Sequence, residues 1–144
     1  MPTDPFHTAA LGVTNDVFGR LVELGRAAVN VAASDAPHPQ PMIEVRPSNP
    51  AACRVTILAA EKQIDLLFGP EETLREIYLP GENERLHELR GCLEAVAEGR
   101  YEEQVEVTRK GATVTGRVLD GPPAYVRSGS LAFGPARLTK FEPY

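Results

Sequence analysis

From residue 101 to 108 the chain alternates with almost no fault: Tyr101, Glu103, Val105 and Val107 take one phase, Glu102, Gln104, Glu106 and Thr108 the other. Successive side chains of a strand point to opposite faces, so the segment is extended, with one face toward solvent. Arg109-Lys110-Gly111-Ala112 then turns the chain, and 113–119 returns with Val114, Gly116 and Val118 in phase. A hairpin with one solvated face does not stand alone; it needs further strands and a layer over its apolar side.

More strands are written upstream. Ile43 and Val45 share a phase in 42–46, as do Cys53, Val55, Ile57 and Ala59 in 53–60, and Ile64, Leu66 and Phe68 in 63–68. Glu61-Lys62 joins the last two as an antiparallel pair, and Gly69-Pro70 ends the return. Residues 74–79 read as another strand, with Ile77 and Leu79 opposite Glu76 and Tyr78. A short strand at 124–127 and a final extended segment at 137–141 follow the break Asp120-Gly121-Pro122-Pro123.

The covering layer is helical. Leu86, Leu89, Leu93 and Val96 recur at three and four over 82–98, with Glu82 and Glu84 in the first turn, where the helix dipole favours acids, and Gly99 as the stop. An earlier helix is predicted over 14–31 from Val17, Leu21, Leu24, Ala28 and Val31, capped by Thr14, Asn15 or Asp16. Within it Gly19 and Gly25 each cost about 1 kcal/mol relative to alanine, which marks close approach to a sheet or a neighbouring chain. Residues 1–13 carry prolines and no periodicity and are predicted to be a loosely ordered arm. Three prolines between 37 and 41 break the chain before the first strand.

At 144 residues, 42% of them hydrophobic, the chain suffices for one domain over 1–144 with no disulfide or metal staple. The expected fold is α+β: a two-layer sandwich with a mainly antiparallel sheet of about five to seven strands covered by two helices, in the order α-β-β-β-(β)-α-β-β-(β). The end, 128–144, keeps Leu131, Phe133, Leu138, Phe141 and Tyr144, enough apolar surface to pack on the domain or on a partner.

Charge narrows the function classes. Fifteen basic against 20 acidic residues leave −5, the wrong sign for a general nucleic-acid binder. Residues 61–106 hold 13 acids and 5 bases, whereas 107–144 hold 6 bases and 2 acids, so an acidic middle precedes a basic tail. No apolar run approaches the roughly 18 residues a membrane-crossing helix needs, and the first residues lack the basic and apolar regions of a secretory signal. The expectation is a cytoplasmic protein with no membrane or nucleic-acid partner.

Motifs for chemistry are sparse. Glu84-x-x-His87 with Glu88 is the most metal-like spacing, but di-iron carboxylate sites need such a pair twice, and His87 shares its flank with Glu94 and Glu98, away from the leucine stripe. His7 and His38 read as surface histidines. Cys53 and Cys92 have no second cysteine nearby and read as small buried hydrophobes. Ser128-Gly129-Ser130 lacks the Gly-x-Ser-x-Gly frame, the glycines form no phosphate-cradling loop, and without tryptophan and with 6% aromatics there is little to stack on nucleobases or sugars. No cofactor, metal or catalytic residue is expected.

In layout alone the chain resembles small binding proteins such as secretion chaperones and toxin-immunity proteins. The missing catalytic constellation, together with an ordinary core and a polarised surface, points to a non-catalytic protein–protein interaction module, chaperone-like, immunity-like or accessory, with a homodimer as one form. Glu94, Glu98, Glu102 and Glu106 then form the candidate surface, an acidic strip for a basic partner. The alternative is a small-molecule-binding protein or minor enzyme with a pocket between sheet and helices, using Tyr78, His87, Tyr101 and Arg117 as its polar groups.

Overall fold

Two glycines end two helices in the same way. In the computed structural model, α1 (Pro5–Glu23) stops where Gly25 takes φ 70°; the Arg26 N–H donates to the Leu21 carbonyl at 2.8 Å and the Gly25 N–H to Val22 at 3.0 Å. Helix α2 (Glu82–Ala97) ends identically at Gly99, φ 73°, with Arg100 donating to Ala95 at 2.7 Å and Gly99 to Val96 at 3.2 Å. In this motif the left-handed residue lets two N–H groups satisfy carbonyls that the helix leaves orphaned. The structure describes residues 5–33, 40–60, 62–70, 72–109, 111–119, 126–129 and 135–144.

The first helix is therefore shifted from its expected place. Pro5, whose missing N–H costs nothing at a helix start, opens it inside the expected arm, and its buried stripe runs His7, Ala10, Thr14 and Phe18. Thr14 caps nothing; it lies mid-helix with its hydroxyl donating to the Ala10 carbonyl at 2.8 Å. Past Gly25 the chain becomes a strand, β1 (Ala27–Ala33), so Ala28 and Val31, which matched a helical spacing, sit in extended backbone.

Strands β1, β2 (Pro41–Pro47), β3 (Val55–Ala59), β4 (Ile64–Phe68) and β5 (Thr73–Ile77) form an antiparallel meander in chain order. Ile43 lies across from Ile57, Ile57 across from Leu66, and Ile64 across from Ile77, so one face is apolar from strand to strand. Leu79, expected in phase with Ile77, lies beyond the end of β5 and is exposed. After α2, strands β6 (Tyr101–Thr108), β7 (Gly111–Val118), β8 (Val126–Gly129) and β9 (Arg137–Lys140) form a second antiparallel sheet in the order β8-β7-β6-β9. The α+β class, two helices and antiparallel strands are as the sequence predicts; the strand layer is divided into two sheets rather than one.

The helices pack on each other, α1 also against β1 and β3, and α2 against β5. Phe18, Leu89, Leu93 and Val96 meet the inward Ile43, Val45, Val55, Ile57 and Leu66, all essentially without exposure. Burial of each such side chain stabilises the fold by about 1.5–3 kcal/mol. The two sheets meet along β5 and β8, and the chain end ties them again: the Glu142 N–H donates to the Ala51 carbonyl at 3.0 Å, beside a parallel bridge from Ala52 to Glu142. The Tyr144 N–H donates to Ala97 at 3.0 Å, its ring lies 5.1 Å from Phe18, and its hydroxyl donates to the Cys53 carbonyl. Of the other apolar residues in this end, Phe141 is half-buried and Leu138 exposed; Leu131 and Phe133 lie outside the described residues. No helix among the described residues is long and apolar enough to cross a membrane.

Candidate functional site

Strand β6 carries a carboxylate into the interior. Its alternation sends Tyr101, Glu103 and Val105 inward, and Glu103 is only 2% exposed. A buried carboxylate is costly unless it is hydrogen-bonded, and the Tyr101 hydroxyl donates to Glu103 Oε2 at 2.6 Å. The tyrosine ring is in turn held between two phenylalanines, with centroids 4.7 Å from Phe68 and 5.7 Å from Phe141, the latter nearly parallel at 16°. Gly116, across from Glu103 on β7, makes room for the phenol: a Cβ there would stand 2.5 Å from the Tyr101 oxygen. At the β4–β5 turn, a Cβ on Gly69 would be 3.2 Å from Phe141 Cζ, 3.3 Å from Glu103 Oε1 and 3.6 Å from Cys53 Sγ. Five segments, at Cys53, Phe68 and Gly69, Tyr101 to Glu103, Gly116 and Phe141, thus converge on one polar knot.

The knot is not a nucleophilic centre. Burial pushes the Cys53 thiol well above its ordinary range, the Glu103 charge pushes it further, and Sγ donates to the Arg54 carbonyl at 3.2 Å. Burial, followed by the charge of Glu88, raises Cys92 to about 12. The thiolate is the reactive form, so both thiols are inert near neutral pH.

On the solvent side of Phe141 lies an open cleft of about 620 Å³. One wall is the loop from β2 to β3, with Arg46, Ala51 and Arg54; the other is Thr139, Lys140 and Phe141, with Pro70 at the end. No acid lines it. Arg46 is tied to Glu44 at 3.4 Å, while Arg54 and Lys140 make no ion pair among the described residues. A smaller hollow of about 90 Å³ adjoins it, shares Arg46 and Arg54, and is lined by Glu44 and Glu72.

The predicted acidic strip is interrupted. Glu94 and Glu106 are exposed, but Glu98 pairs with Arg100 at 2.7 Å, and Glu102, with its side chain mostly covered, stands 3.8 Å from Arg117. Strand pairing explains part of this: β6 lies between the basic strands β7 and β9, with Glu102 across from Arg117 on one side and Lys140 on the other. The acidic middle and basic tail of the sequence are neighbours in one sheet.

Nor do Tyr78, His87, Tyr101 and Arg117 converge on a pocket. Tyr101 takes the inward phase of β6, whereas Arg117 is across from Glu102 in the outward phase. Tyr78 lies past the end of β5, 61% exposed and bonded to Glu76, and His87 is exposed on α2. Glu88 is engaged by Arg75 at 3.0 Å, and among the described residues no three His, Cys, Asp or Glu side chains gather as a metal site would require. His7 is no surface residue; it is buried on α1, its Nδ1 without a partner among the described residues. His38 and Ser130 lie outside the described residues.

Sequence reasoning passed over Glu103 and Arg54. Glu103 had a signal, a carboxylate in the apolar phase of an alternating strand. The cleft had none, because its two walls, at 46–54 and 139–141, are far apart in the chain. Compared by sequence and by structure, the chain matches no family model, no curated protein and no solved structure.

Proposed function

We propose that the protein is a non-catalytic interaction module that takes an acidic segment of a partner protein, carrying an apolar side chain, into the cleft between the β2–β3 loop and β9. The observation that carries this reading is the pair Arg54 and Lys140: two cations without ion-pair partners among the described residues, flanking a cleft with Phe141 and alanines in its walls, on a chain of net charge −5. Elsewhere the acidic surface repels an anionic partner, so a local patch of opposite sign selects both the partner and its landing place. The Tyr101–Glu103 knot supports the site from behind: Tyr101 stacks on Phe141 and holds it as a rigid wall, which lowers the ordering cost of binding.

The test places a photo-crosslinking residue at Ala51, exposed on the cleft wall. In extracts of the source cell it is expected to capture a protein through an acidic segment, with yield falling several-fold between about 0.05 and about 0.3 M salt. The double change Arg54→Gln and Lys140→Gln is expected to weaken capture about tenfold, and neutralising Glu94, Glu98, Glu102 and Glu106 to Gln to leave it in place. Capture indifferent to the double change rules the cleft out; loss on neutralising the four glutamates returns the site to the acidic strip.

A further inference from the structure

Strand β1 is the outer strand of the first sheet, paired with β2 over its whole length from Ala27↔Pro47 to Ala33↔Pro41, with no bulge. Its outer edge offers backbone N–H and C=O groups with no strand beside them among the described residues. Proteins ordinarily blunt such an edge with a charge, a proline, a bulge or a short strand. β1 has none of these: it is seven residues long, Ala-Ala-Val-Asn-Val-Ala-Ala, and uncharged.

That sequence reads the same in both directions about Asn30. We infer that β1 is a self-association edge, which pairs antiparallel with β1 of a second copy about a two-fold axis through Asn30. In that register Ala27 meets Ala33, Ala28 meets Ala32, Val29 meets Val31, and Asn30 meets Asn30. Opposed residues of an antiparallel pair share a face, so the two Val29–Val31 pairs form on the face where Val29 packs against the core. Val31, 54% exposed although it is across from buried Ile43, receives the cover it lacks. On the other face, the two Asn30 amides each offer a donor and an acceptor to the other.

Charge selects this occupant. An isologous interface sets every residue against its own kind or its symmetry mate, so a charged edge strand repels its own copy, and a neutral palindrome is the pattern free of that penalty. Seven small residues cover much less than the ~800 Å² per partner of a standard interface, so monomer and dimer exchange with concentration.

Sedimentation velocity from about 5 to about 500 µM tests the inference. The wild-type protein is expected to shift from monomer toward dimer. Asn30 is exposed, so Asn30→Lys and Asn30→Asp keep the fold, checked by an unchanged far-ultraviolet spectrum and melting profile. Each sets like charges opposite one another on the axis and is expected to weaken association about tenfold or more, and mixing the two variants restores it. Register is read by oxidation: Asn30→Cys crosslinks to itself, while Ala28→Cys, whose mate is position 32, does not. A wild type that stays monomeric throughout, a dimer that Asn30→Lys leaves within about twofold, or equal crosslinking at 28 and 30 overturns the proposal.

Discussion

The two sheets bury different kinds of interior. The inward face of β2 to β5 is Ile43, Val45, Val55, Ile57, Ile64, Leu66, Phe68 and Ile77, with Thr73 and, paired to Glu88 of α2, Arg75 as its polar side chains. The inward face of β6 and β7 holds Tyr101, Glu103 and Gly116 beside Val105, Val114 and Val118, and it accepts Phe141 from the chain end. Apolar burial is non-directional and roughly proportional to area, so the first interior, mostly aliphatic, depends chiefly on the right volume. A buried carboxylate depends on donors placed to reach it, so the second interior needs the right geometry. The cleft abuts the second, where position is most tightly specified.

The largest expected effect is in the geometric interior. Tyr101→Ala removes the ring between Phe68 and Phe141 together with the donor to Glu103, and is expected to lower stability by about 3–5 kcal/mol in urea unfolding. A loss of about 1 kcal/mol would mean that the second sheet is as forgiving as the first.

Next in size, Gly116→Ala drives a methyl group into the Tyr101 phenol and is expected to cost about 1–3 kcal/mol. Ile57→Val, in the first interior, is expected to cost about 0.5–1.5 kcal/mol. The sharper reading is a double-mutant cycle: in a Tyr101→Phe background the oxygen that clashes is gone, so the Gly116→Ala penalty shrinks. Additive penalties would break the distinction between the interiors.

The last effect leaves stability at neutral pH untouched and appears only at alkaline pH. Cys92, against the first interior, is raised to about 12, and Cys53 and Tyr144, near the knot, are also raised by burial. Each folded group keeps a proton that its unfolded counterpart loses earlier. Stability is therefore intact below the unfolded thiol pKa and declines above it, by about 1.4 kcal/mol per pH unit per group, until the folded group also ionises. Cys92→Ala is expected to flatten the decline between about pH 9 and about pH 11 by one group's share, measured as the urea midpoint against pH. An unchanged slope would show that Cys92 is not protected by its surroundings.

Local signals sufficed wherever a single element decides its own conformation. Helix α2, strands β2 to β4 and the β6–β7 hairpin follow from periodicity, because each presents one apolar phase to one neighbour. The Gly99 stop was legible for the same reason, and Gly25 carried the same signal; read as a cost within a longer helix, it displaced α1 and hid β1. Even Glu103 was visible as a carboxylate in the apolar phase of its strand.

What no local pattern contains is which distant segments meet. The cleft joins the loop before β3 to the strand nearest the chain end, and the knot brings Cys53, Phe68, Tyr101, Gly116 and Phe141 together from five segments. The pairing of the acidic strand with basic neighbours likewise depends on sheet order, which breaks the strip that composition suggested. The sequence by itself determined the α+β class, most of its elements and which side of each is apolar, since these depend on spacing within a few residues. Tertiary structure alone decided where the polar groups converge, because burial and charge pairing are set by neighbours through space rather than along the chain.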